Sequence, residues 1–90
     1  MSNKRDLKRS LNYACSELFA EGVSLYLSAQ KEDQPQIDAI LTSVLKTHRD
    51  MIKRVSHPEP GMKAKVYYSH LTEDFNKQVS EIIDHIQALV

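Results

Sequence analysis

The stretch that decides the fold runs from residue 33 to residue 62 and reads DQPQIDAILTSVLKTHRDMIKRVSHPEPGM. Within it, Ile37, Ile40, Leu41, Val44, Leu45, His48, Met51, Ile52 and Val55 recur every three or four positions, the period of one helix face. The start is marked: Asp33 is an N-cap residue type, Gln36 stands three positions on as in a capping box, and Pro35 falls in the first turn, where its missing N–H costs nothing. The end is marked more firmly. His57-Pro58-Glu59-Pro60-Gly61-Met62 packs two prolines and a glycine into a stiff connection that no helix continues through. These signals predict a helix over residues 34–56.

Outward from this segment the chain repeats the pattern on both sides. On the N-terminal side, Leu7, Leu11, Ala14, Leu18, Gly22, Leu25 and Ala29 form one stripe, and Cys15, Phe19, Val23 and Tyr26 widen it. The spacing predicts a helix over residues 3–30, capped by Ser2 or Asn3 and touching two neighbours. Gly22 costs about 1 kcal/mol relative to Ala inside a helix, so its place on the stripe points to a close helix–helix approach, with a kink as the alternative. On the C-terminal side, Tyr68, Leu71, Phe75, Val79, Ile82, Ile83, Ile86 and Leu89 predict a third helix ending near residue 90. Its start lies near Lys63 or at a new cap near Ser69 or Thr72, because Val66-Tyr67-Tyr68 also suits extended chain.

Three helices of similar length joined by short loops make antiparallel neighbours. The expected architecture is all-α: one domain over residues 1–90 in an up-down-up three-helix bundle. A helical hairpin that completes a four-helix bundle by dimerising is the competitor. Two Gly and three Pro in ninety residues argue against a turn-rich β fold. No apolar run reaches the ~18–20 residues of a membrane span, and no signal-peptide or lipidation pattern is present. With the single Cys15 reading as a small buried hydrophobe rather than a reactive thiolate, these features indicate a soluble protein of the reducing cytoplasm, without membrane contact.

Catalytic and metal chemistry find little support. His70 with Glu73 and Asp74, and Glu81 with His85, have helical ligand spacing, yet they lie mostly off the apolar stripe and more than one turn apart. They read as a solvated helix face, and no metal or other cofactor is expected. No serine or threonine stands in a nucleophile elbow, and two glycines cannot build a phosphate-cradling loop. The Arg–His spacing of the helical HEPN ribonuclease group is not met by Arg49 or Arg54 with His57. His48, on the core-facing stripe, reads as a packed residue with one hydrogen-bond partner.

Charge is the feature that stands out. The net charge is zero, but folding three helices back on one another gathers residues 1–16 and 47–72 at one end. That end holds the nine bases Lys4, Arg5, Lys8, Arg9, Arg49, Lys53, Arg54, Lys63 and Lys65 against Asp6, Asp50 and Glu59, a net +6, which leaves −6 for the rest. The helix macrodipole explains bases near the end of the second helix but disfavours four of them at the start of the first. An anion or an acidic partner surface is the simplest thing to hold them there.

The runs Arg54-Val55-Ser56-His57-Pro58-Glu59-Pro60-Gly61-Met62 and Cys15-Ser16-Glu17-Leu18-Phe19-Ala20-Glu21 resemble those of small, uncharacterised helical-bundle proteins of gut bacteria. The resemblance implies no activity, substrate or catalytic residue.

The leading functional expectation is therefore a non-enzymatic interaction or scaffold module. Its contact surface is the basic pole, Lys4, Arg5, Lys8, Arg9, Lys53, Arg54, His57 and Lys63, together with the 57–62 loop. The partner is another protein or a second copy of the chain. Nucleic-acid or phosphate binding through the same pole, with Tyr67, Tyr68, His57 and His70 as stacking and hydrogen-bonding groups, is the second reading, although a pI near 6.9 is low for it. A small helical enzyme using His48 or His57 is the third.

Overall fold

The computed structural model describes residues 4–89, so the expected caps Ser2 and Asn3 lie outside the described residues. It contains α1 (Lys4–Ser28), α2 (Gln34–Ser56) and α3 (Ala64–Leu89), an all-α three-helix bundle 49 Å long and 18 × 18 Å in section. Cross-helix contacts fix the direction of each helix. His48 bonds to Asn12 and Gln34 Nε2 donates to the Tyr26 carbonyl at 3.2 Å, so α2 runs antiparallel to α1. Tyr68 reaches Val55, and Arg54 reaches Asp74 at 3.0 Å, so α3 returns antiparallel to α2. The central helix packs against both neighbours, while α1 and α3 touch one another far less.

The core follows the stripes with a shift in phase. Leu11, Cys15 and Leu18 of α1 meet Ile40, Val44, Met51 and Val55 of α2, and Tyr67, Leu71, Phe75, Ile82 and Ile86 of α3. Burying this apolar surface, at about 25 cal/mol per Å², is what holds three helices of marginal individual stability together. Two expected core positions are corrected. Leu45 is 56% exposed while Thr47 is buried, and Ile83 is exposed while Tyr67 is buried. The reason is that α2 is flanked on two sides, so its buried face centres on the row 40, 44, 47, 51, 55 and rotates Leu45 to the outer edge.

Gly22 is a close approach and not a kink. It is buried within an unbroken α1, and a Cβ there would stand 2.6 Å from Leu41 Cδ2. The capping box does not form. Asp33 sits in the helical region (φ −90°, ψ −17°) and its side chain makes no cap bond, because a side-chain cap needs the extended backbone that such residues usually adopt. Its carbonyl instead accepts from the N–H groups of Gln36 and Ile37, and Gln34 ties the turn to the end of α1. The last helix begins at the earlier of the two expected positions, with Tyr67 N–H already bonded to the Lys63 carbonyl at 2.9 Å.

Candidate interaction surface

The basic end of the bundle is built around the finish of α2. A helix leaves its last four carbonyls without intrahelical donors, and here most of them are claimed. His57 N–H bonds to Lys53 O at 3.0 Å. Tyr67 Oη donates to Arg54 O at 2.9 Å and stands 3.4 Å from His57 O, and Tyr68 Oη donates to Val55 O at 3.3 Å. The two rings meet edge to face, centroids 5.5 Å apart. This fastens α3 beneath the end of α2 and leaves His57-Pro58-Glu59-Pro60-Gly61 projecting from the tip, every residue of it exposed. Gly61 closes the loop with φ +86°, a backbone conformation that costs other residues about 1–2 kcal/mol. Tyr67 is consequently not available to stack on a ligand: its ring is buried and its hydroxyl is used within the fold.

Around this tip the expected site residues divide into two groups. Lys53, Arg54 and His57 line one shallow groove of about 460 Å³ together with Asp50, Met51 and Gln78. Lys4, Arg5, Lys8 and Arg9 stand on α1, across the bundle end, and Lys63 follows the loop. Lys4, Arg5, Arg9, Lys53, His57 and Lys63 are exposed, and Lys8 is half-buried. Arg54 is not a free cation. Its guanidinium pairs with Asp74 at 3.0 Å and also lies against the Met51 sulfur at 3.9 Å, so an acid reckoned with the opposite pole sits at the border of this one.

Gln78 escaped the sequence reading, which counted Asp50 at this end but did not place it in the groove. Asp50 stands one helical turn from Arg54, so its place was recoverable from that spacing. Gln78 and Asp74 depend on the register of α3 against α2, which no local pattern contains.

His48 lies in a second groove, between α1 and α2, of about 390 Å³ and lined by Asn12, Cys15, Ser16, Phe19, Ala20, Val44 and Leu45. Its Nε2–H donates to Asn12 Oδ1, and no carboxylate lines that groove. Burial pushes the Cys15 thiol up from its ordinary value, which keeps it protonated and unreactive at neutral pH. Among the described residues no three His, Cys, Asp or Glu side chains gather closely enough to hold a metal ion, and no helix is long and apolar enough to cross a membrane.

No family model, no curated protein and no solved structure matches the chain.

Proposed function

We propose that this protein is a non-enzymatic interaction module whose basic pole, with the 57–62 loop, docks an acidic surface of a partner protein. The observation that carries this reading is the groove of Lys53, Arg54 and His57 beside an exposed, proline-stiffened loop. A loop held by two prolines loses little entropy on binding, and bases around it steer an acidic partner. The tyrosine clamp beneath holds that surface in one shape. Restriction to the cytoplasm, consistent with the single buried cysteine, belongs to the same proposal.

The test compares the wild-type chain with a Lys53→Glu/Lys63→Glu variant as bait in extracts of the source cell, with and without nuclease. Arg54 is left alone because reversing it also breaks the contact with Asp74. The expected result is a nuclease-resistant acidic protein retained by the wild type and lost from the variant. Equal retention by both baits refutes the reading, and retention that nuclease abolishes replaces it with nucleic-acid binding, whose affinity falls steeply with salt.

A further inference from the structure

The three most exposed large hydrophobic side chains among the described residues are Leu27 (77%), Tyr13 (67%) and Leu45 (56%). Helical phase puts all three on the outer side of the α1–α2 pair: Tyr13, Ser16, Ala20 and Leu27 succeed one another every three to seven residues on α1, and Leu45 stands on the facing edge of α2. Between them runs the groove floored by Cys15 and Val44 and walled by Phe19, Ala20 and Leu45. The groove is at mid-length, since Ser16 is the central residue of α1 and Leu45 that of α2.

Charge says what covers it. On the same edge of α2, Asp38 stands seven residues before Leu45 and Arg49 four after, both exposed. These are two turns one way and one turn the other, so the row carries an acid, a central apolar residue and a base. A two-fold axis midway between Asp38 and Arg49, at the level of Ser43 and Val44, sets Arg49 of each copy against Asp38 of the other. It leaves the two Leu45 side chains offset by about 4.5 Å along the row, within reach of one another. A two-fold interface requires this reciprocity, in which i meets j and j meets i. The same operation lays the basic pole of each bundle beside the acidic pole of its mate, so a chain of zero net charge attracts a copy lying alongside it when the two are antiparallel and repels one lying parallel. The long side of the molecule, 49 × 18 Å, is large enough to hold a standard interface of ~800 Å² per partner.

We infer that the α1–α2 face binds a second copy of this chain, antiparallel and about a two-fold axis, through Leu45 and the groove beside it with Arg49 and Asp38 as reciprocal ion pairs. This face is separate from the groove of Lys53 and His57, so dimerisation and docking of another protein at the loop occur together. Arg5 and Arg9 of α1 extend the basic half of the dimer face, whereas Lys53, His57 and Lys63 stay outside it.

Sedimentation equilibrium of the full chain from micromolar to submillimolar concentration tests the inference. The expected mass approaches twice the 10.3 kDa of one chain. Leu45→Glu weakens association at least about a hundredfold, because it places two carboxylates in a closed apolar contact. Ala20→Glu does the same from α1; both positions are exposed in the single chain, so helicity by circular dichroism is retained. Arg49→Asp and Asp38→Arg each weaken the dimer about tenfold, and the double swap Arg49→Asp/Asp38→Arg returns it to near wild type. A monomer at every concentration, a dimer indifferent to both Leu45→Glu and Ala20→Glu, or a double swap no tighter than the single variants would each overturn it.

Discussion

The Tyr67 hydroxyl does more for this fold than its place in the sequence suggests. It donates to Arg54 O at 2.9 Å from a buried ring, satisfying a carbonyl that α2 cannot satisfy itself. Tyr67→Phe removes the donor and leaves the acceptor in place, so stability is expected to fall by about 1–2 kcal/mol, read from urea denaturation. Tyr68→Phe costs less, since its bond is 3.3 Å and half-buried. Sequence reading put both tyrosines at the correct end and Tyr68 on the core stripe. Its second functional reading still offered both to a ligand, because periodicity says which residues share a face and nothing about where a hydroxyl finds its acceptor. Cys15 makes a separate prediction at this scale. Burial raises its folded pKa, so at low pH both states are neutral and pH has no effect. Above about pH 8.5 the unfolded chain ionises first, and stability falls until the folded value is passed. Denaturation of the wild type and of Cys15→Ala from about pH 7 to about pH 10 checks it: the wild type shows the steeper alkaline loss. Tyr13, raised chiefly by its hydrogen bond to Glu17, adds the same slope to both proteins.

At the scale of elements, the contact of α1 with α2 turns on Gly22. Alanine there gains about 1 kcal/mol of helix propensity but sets its Cβ 2.6 Å from Leu41 Cδ2. Gly22→Ala is expected to be nearly neutral in the wild type, as the side chain of Leu41 gives way, and to stabilise a Leu41→Ala background by up to about 1 kcal/mol. Equal effects in the two backgrounds would show that the helices do not meet there. Gly61→Ala meets no atom within 4 Å, yet is expected to cost about 1–2 kcal/mol because of the positive φ alone, measured as a shift in denaturation midpoint. The number and order of the helices were legible, since each has a periodic stripe and the 57–62 loop has unmistakable breakers. The start of α3 was open between Lys63 and Ser69 or Thr72, because Val66-Tyr67-Tyr68 suits extended chain as well. The rotation of α2 was not legible. Leu45 and Thr47 exchange burial because α2 is gripped from two sides, a tertiary fact that a single-helix pattern does not contain. The missing cap at Asp33 has the same origin: a turn whose backbone is set by its neighbours overrode a side-chain preference.

At the scale of the whole molecule, the antiparallel order of the helices converts a chain of zero net charge into one with a basic end and an acidic end. The clustering was legible once three antiparallel helices were assumed, because the bases fall in two blocks of sequence that such a topology joins. What escaped is how the cluster is subdivided: Asp74 reaches into it to hold Arg54, and Lys53 and His57 share a groove from which the α1 bases are absent. The polarity underlies the proposed docking pole and the proposed two-fold pairing alike, and it can be measured residue by residue. Paramagnetic relaxation of backbone amides by an anionic and by a cationic cosolute reports the local potential at each position. The expected result is stronger relaxation by the anionic probe over the start of α1, the end of α2, the 57–62 loop and the start of α3, with the reverse around residues 28–38. An even ratio along the chain, or the opposite sign at the loop, would contradict the polarity and both proposals resting on it.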